Sequence, residues 1–205
     1  MDNLYLQEKE KYSNAWKNGS EGQSRTAYYV YNYLKSKLNK EDKILDLGCG
    51  SGLIVELLRQ NNFNNVFGVD LTLEGLKQYN PKIKFNQPIP EFTPKLETYF
   101  EAPLWELPFP DNCFDFSYSC DVLEHLPPSM LEPAIKEILR VTRLKTYHCI
   151  ATFADKRDGF DFHLSIHEIN IWREKFTKLN NKNIEIEIID RTEFLRQVNP
   201  EFKGK

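Results

Sequence analysis

Gly48, Gly50 and Gly52 fall within five positions of a 205-residue chain that has only nine glycines in all. Closely spaced glycines allow left-handed backbone and leave no Cβ between main-chain N–H groups and a ligand. Ahead of a helix, such a loop presents bare amides and a helix N-terminus to a polar small molecule. Two carboxylates accompany it. Asp46 lies two residues before the first glycine, and Asp70 ends the run Val66-Phe-Gly-Val. A strand-end carboxylate can accept both hydroxyls of a ribose. Asp46 would repel a pyrophosphate and attract an ammonium group. The spacing G-x-G-x-G also brings the third glycine one residue earlier than the dinucleotide pattern. An amine, a ribose and no pyrophosphate is the ligand chemistry these residues describe. A cluster serving only a tight turn is the plainer alternative, against which the flanking strand and helix argue.

Acid–base candidates are few, since the chain has four histidines. His125 follows Glu124 in Asp121-Val-Leu-Glu-His, and His163 opens His-Leu-Ser-Ile-His167. His148 sits inside an apolar run and reads as a packed histidine. Asp161, His163 and His167 have a D-x-H-x-x-x-H spacing that can converge on a cation. The pattern Ser165-x-x-Glu168 explains the same stretch as a helix capping box, and no metal is expected.

The elements that must position these groups follow from periodicity. Residues 2–17 and 23–38 read as two helices, giving an N-terminal helical cap over residues 1–40. Residues 41–205 read as one α/β domain. Its first strand is Lys43–Leu47, followed by the glycines, a helix Leu53–Gln60, a strand Val66–Asp70 and a short helix Thr72–Tyr79. Alternating strands and helices predict a mostly parallel central sheet flanked by helices, in the Rossmann-like manner. Ten of the eleven prolines lie between Pro81 and Pro133, so this stretch reads as loop with strands near 96–101 and 114–119. A capping box at Ser129–Glu132 predicts a helix to about Leu144, and Tyr147–Phe153 a strand. The second box, at Ser165, predicts a helix through Leu179, before a strand over Ile184–Ile189 with Glu185 and Glu187 on its solvated side. Arg191–Val198 reads as a last strand or a short helix.

Composition sets the outer limits. A net charge of −3 argues against a nucleic-acid partner, which calls for a basic excess. The four cysteines show no metal or disulfide spacing, the first residues are too polar for a secretory signal, and no apolar run spans a bilayer. A cytoplasmic protein, monomeric or homodimeric, is the expectation.

The segments Ile44-Leu-Asp-Leu-Gly-Cys-Gly-Ser-Gly52 and Gly68-Val-Asp70 resemble the cofactor-binding half of class I S-adenosylmethionine-dependent methyltransferases. Leu107-Pro-Phe, Phe114-Asp and Leu123-Glu-His resemble the next stretch of that family, in its order. The resemblance implies that Asp46, Gly48, Cys49, Gly50 and Gly52 line the methionine part of the cofactor. It implies that Asp70 binds the ribose with Leu71 beside the adenine. Leu104 and Trp105 would stand at the adenine edge. Pro103 replaces an aspartate common in the family, which leaves adenine recognition to Glu101, backbone groups or Trp105. Cys120 and Asp121 would face the methyl-transfer centre, where Asp121, His125 and His163 are the candidates for orienting the acceptor or taking its proton. A Trp16-x-x-Gly19-Ser20 segment, with Gly22 and Ser24, resembles one that lies over the cofactor in some subfamilies; a plain inter-helix loop is the alternative. Implied, then, is a methyltransferase for a small-molecule or sugar-type acceptor, on oxygen. The rivals are a nicotinamide-dependent oxidoreductase, against which Asp46 and Gly52 speak, and a non-catalytic methyltransferase-like subunit.

Overall fold

The computed structural model describes residues 2–19, 25–77, 96–157, 159–199 and 201–202. Two helices, α1 (Asp2–Asn18) and α2 (Arg25–Leu34), precede β1 (Ile44–Leu47), α3 (Leu53–Gln60), β2 (Val66–Asp70) and α4 (Glu74–Lys77). Next come β3 (Tyr99–Glu101), β4 (Phe114–Cys120), α5 (Leu131–Val141) and β5 (Thr142–Ile150). A small antiparallel pair, β6 (Lys156–Arg157) with β7 (Phe160–Asp161), leads to α6 (Ile169–Leu179), β8 (Glu185–Asp190) and α7 (Arg191–Val198).

The main sheet has the order β3-β2-β1-β4-β5-β8, and every pairing in it is parallel. The chain runs outward one way from β1 to β3 and returns beside β1 with β4. That reversal opens a crevice at the carboxyl ends of β1 and β4, where ligands settle in such sheets. All four β1 residues are buried, as expected of a strand covered on both faces. One face packs Val30 and Leu34 of α2, Leu57 and Leu58 of α3 and Phe194 of α7. The other packs Ile135, Ile138 and Leu139 of α5 and Trp172 and Phe176 of α6. So α2 belongs to the main core, whereas α1 lies over the crevice. Among the described residues no helix is long and apolar enough to cross a membrane.

A polar strip runs between β4 and β5 inside this core. Ser117 bonds the hydroxyls of Thr142 at 2.7 Å and Thr146 at 2.8 Å. His148 bonds Ser119 at 2.8 Å through Nδ1 and Thr146 at 2.9 Å through Nε2, so both ring nitrogens are engaged. Burial pushes its pKa down to about 3 and keeps it neutral, a packed histidine as expected.

Neither capping box forms. Pro128 starts a 3-10 turn over Pro128–Met130, which draws Ser129 into helical geometry, and α5 begins at Leu131 with no side-chain cap. Ser165 is buried and its hydroxyl donates to the Leu126 carbonyl at 2.7 Å, so α6 starts a turn later than expected. α5 stops at Val141, because Thr142 turns extended and its hydroxyl caps the Ile138 carbonyl at 2.7 Å. That shifts the following strand to Thr142–Ile150 from the expected 147–153. Arg191–Val198 is the helical alternative, capped by Asp190, whose Oδ1 accepts the Glu193 amide at 2.9 Å. Glu187 is not simply solvated: it meets Lys37 at 3.0 Å, Lys145 at 3.1 Å and the Tyr33 hydroxyl, tying α2 to the sheet. Residues 78–95, which take in four of the ten clustered prolines and the end of the expected fourth helix, lie outside the described residues, as do Ser20, Gly22 and Ser24.

Candidate active site

The glycine loop turns at the end of β1 because three of its residues take left-handed backbone: Gly48 at φ 74°, Gly50 at 52° and Gly52 at 74°. The Gly48 and Cys49 amides donate to the Val69 carbonyl at 2.8 and 3.1 Å, which fastens the loop to β2. A Cβ on Gly48 would sit 2.6 Å from the Val122 methyls, so the loop and the end of β4 touch directly. Asp70 completes the bracing. One oxygen accepts the Gly50 amide at 2.8 Å and the other the Thr72 amide at 3.2 Å. Burial nevertheless raises the Asp70 pKa to about 6, the amide bonds opposing the rise. Asp46 lies deeper. Burial raises it to about 8, the nearby Tyr118 hydroxyl opposes this and the Asp70 charge adds to it. Two carboxylates with too little solvation are a place for positive charge.

These groups line a cavity of about 570 Å³, a volume typical of small-ligand sites. Asp46, Gly48, Cys49, Gly50, Asp70 and Leu71 line one end, with Leu104, Trp105 and Cys120 also on its wall. Gly52 does not line it. That glycine starts α3 against Tyr99 and Leu76, whose atoms a Cβ would meet at 2.6 and 2.9 Å, so its part is to set the loop's exit. Asp121, His125 and His163 line the cavity too. Asp121 has left-handed backbone, φ 55°, and pairs with Arg191 at 2.9 Å. His125 and His163 come together although 38 positions apart, with ring centroids 4.7 Å apart and planes at 76°. Burial pushes the His125 pKa down to about 3, the neighbouring His163 and the Arg157 charge acting in the same direction, and its Nδ1 meets the Tyr12 hydroxyl at 2.9 Å. The His163 Nδ1–H donates to the Phe153 carbonyl at 2.5 Å, and Asp155 stands 3.9 Å from Nε2.

The rival metal trio does not assemble. Asp161 pairs with Lys156 at 3.3 Å on the exposed β6–β7 hairpin, and the His167 ring lies 5.4 Å from Trp172. Sequence reasoning also missed several wall residues. Tyr12, Phe153, Asp155, Arg157 and Arg191 reach the cavity through long-range packing that leaves no local motif. Gly75 carries a signal that was open to reading, a glycine in a short helix; a Cβ there would lie 2.5 Å from the Gly50 carbonyl.

α1 roofs the site. Ser13 donates to Thr72 at 2.9 Å, Lys9 pairs with Glu101 at 2.5 Å, and Trp16 packs over Gly50 and Gly75. Trp16 therefore does lie over the loop, as the resemblance implied. Trp16→Ala is expected to weaken nucleoside-ligand binding about 10- to 100-fold, chiefly through faster dissociation. Stopped-flow fluorescence reads this, and an unchanged dissociation rate would take the roof out of the site.

A cradle that a Cβ would fill, two under-solvated carboxylates and a bracing strand-end aspartate fit a ligand with an ammonium, a ribose and no pyrophosphate. Residues 45–150 match the methyltransferase domain family (methyltransferase type 11), more than half of the chain. The chain belongs to this family. Its cofactor is S-adenosylmethionine, and the nicotinamide alternative falls away. The methyltransferase domain is 30% identical over 126 residues to an uncharacterized methyltransferase of Schizosaccharomyces pombe, covering 61% of this chain and 45% of that one. It is 34% identical over 113 residues to an uncharacterized protein of Methanocaldococcus jannaschii, covering 55% of this chain and 41% of that one. The chain thus spans less than half the length of these curated relatives. Its fold is similar to that of the 1,6-didemethyltoxoflavin N1-methyltransferase of Burkholderia thailandensis. That likeness has a TM-score of 0.61 at 15% identity, over 86% of this chain and 76% of the other. The motif residues lie inside the family match, and the roof Tyr12–Trp16 lies before it.

Proposed function

We propose that this methyltransferase domain transfers a methyl group to a small-molecule acceptor, with an oxygen of a sugar-like or other hydroxylated metabolite as the receiving atom. The observation that carries this reading is the single cavity. It joins the acidic cofactor end to a second end walled by Tyr12, Phe153, Arg157 and the two facing histidines. When bound, S-adenosylmethionine supplies an electrophilic methyl on a sulfonium. Asp46 would hold the ammonium, Asp70 the ribose hydroxyls, and Leu71 and Trp105 would flank the base. In-line displacement then needs an oxygen held opposite the methyl and an atom to receive its hydrogen. His163 is fixed with Nδ1–H toward Phe153, so its Nε2 holds a lone pair for that hydrogen bond. Neutral His125 orients the same group from the other side. Asp121, paired with Arg191, shapes the wall of the cavity. A net charge of −3 and a roofed, small-ligand-sized cavity favour a small acceptor over nucleic acid.

Calorimetry with S-adenosylmethionine, then methylation of a panel of hydroxylated metabolites followed by mass spectrometry, tests the reading. His163→Asn and His125→Asn should each lower turnover 10- to 1000-fold with cofactor affinity within about threefold. Binding without turnover on any small acceptor, together with label entering RNA or protein, would replace the acceptor assignment. No binding of the cofactor or its demethylated product would favour the non-catalytic subunit.

A further inference from the structure

We propose that Glu124, His125 and His163 form a binding site for one divalent transition-metal ion, at the acceptor end of the cavity. One ligating atom from each of the three lies within 4.8 Å of both others. Glu124 is fully buried. Its Oε1 accepts the Ala151 amide at 2.8 Å, while Oε2, equally shielded from solvent, has no hydrogen-bond partner. A buried carboxylate oxygen left unmatched is costly, and a cation meeting it removes the cost.

The two rings are prepared in the way ligating imidazoles are. The second nitrogen of each is held from behind, His163 Nδ1 by the Phe153 carbonyl and His125 Nδ1 by the Tyr12 hydroxyl. That leaves Nε2 of both rings for an ion. The two rings stand edge-on, at 76°, with centroids 4.7 Å apart. Two imidazoles with one carboxylate suit zinc or ferrous iron, whereas magnesium and calcium prefer oxygen alone. Ligands about 2.1 Å from a tetrahedral ion lie about 3.4 Å apart, so closure needs side-chain shifts of about an ångström.

Asp121, which pairs with Arg191, and Asp155, which pairs with Arg157, stand nearby, and the charges of Arg157 and Lys11 act on His125. His125 and His163 line the cavity, so an ion held by them would be reachable from the acceptor end. An ion there would occupy the His163 lone pair, so metal loading and proton acceptance by His163 exclude each other.

Metal-depleted wild-type protein dialysed against zinc or cobalt, with metal measured by elemental analysis, should hold one ion per chain. The cobalt form should show the visible d–d absorption of a low-coordinate site. Pulsed electron paramagnetic resonance of the copper-loaded form should resolve two imidazole nitrogens. Glu124→Gln and His163→Asn should each weaken zinc at least tenfold, and His167→Asn should leave it unchanged. Substoichiometric metal, fewer than two imidazoles, or undiminished binding in both variants would overturn the site. The wild-type measurements hold even if a variant fails to fold. None needs cofactor or acceptor, so the metal site and the methyl-transfer reading fail separately.

Discussion

Asp46→Asn is expected to stabilise the ligand-free protein at alkaline pH and to weaken S-adenosylmethionine binding about 100- to 1000-fold. The two effects have opposite signs and one cause. Burial holds the Asp46 pKa at about 8, well above its unfolded value. A raised carboxyl contributes stability that is present at acid pH and is lost as pH rises through the folded value. Asparagine carries no such penalty, so the variant's advantage should vanish below about pH 4, the unfolded value, and grow to a few kcal/mol by about pH 8, where it levels off. With cofactor present, the ionised carboxylate meets an ammonium, and its loss leaves a buried positive charge alone. Wild-type affinity should therefore rise from pH 6 to about pH 7.5, by up to about tenfold per unit where ligand binding displaces one proton, and turn over near pH 8 as the ligand's own ammonium loses its proton. Thermal melts across that range and calorimetry on both proteins provide the check. A dissociation constant within threefold of wild type would remove Asp46 from the ammonium site.

The second large effect is expected at Gly75. Alanine is the better helix former by about 1 kcal/mol, so propensity alone has Gly75→Ala stabilise α4. Contact decides the other way. The added carbon would lie 2.5 Å from the Gly50 carbonyl oxygen and 2.7 Å from its carbon, with the Trp16 ring at 2.9 Å. Two of these are backbone atoms of the cofactor loop, which cannot swing aside as a side chain would. The loop must move, and cofactor affinity should fall tenfold or more while the fold survives. Calorimetry with circular dichroism separates the two. A more stable protein with unchanged affinity would show that the helix does not press on the loop. Gly159 offers a control: it has φ 84° but nothing within 4 Å of an added carbon.

What the sequence disclosed was what is local. The β1-loop-α3 unit and the β2 end are read directly because strand, glycines, helix and carboxylate are consecutive. Gly48, Gly50, Asp46 and Asp70 accordingly line the cavity. Ser129 and Ser165 misled for one reason, that a motif defined over four residues competes with its surroundings. A proline turn absorbed the first, and the Leu126 carbonyl took the second. The acceptor end was the least legible. Tyr12 reaches His125 across 113 positions, and His163 reaches it across 38. Spacing instead grouped Asp161 with His163 and His167, residues that the β6–β7 hairpin and α6 carry apart. Gly52 reads as a ligand contact because its neighbours are, yet its role is to let α3 depart beneath them.

The hydroxyl and imidazole strip between β4 and β5 bears on how the site keeps its height. A parallel strand pair held by apolar contacts alone can slide by two residues and still bury the same face. Here such a slide would strand the partners of Ser117, Ser119, Thr146 and His148 in a dry interior, each at a cost of about 1–3 kcal/mol. The strip behaves as a ratchet pawl. Above it, the same two strands run out into Asp121, on the cavity wall, and Ala151, whose amide holds Glu124, so the pawl fixes the height of both. Greasing the strip with valine and leucine could preserve the melting temperature and still blunt the enzyme, because the loss would be in alignment rather than cohesion.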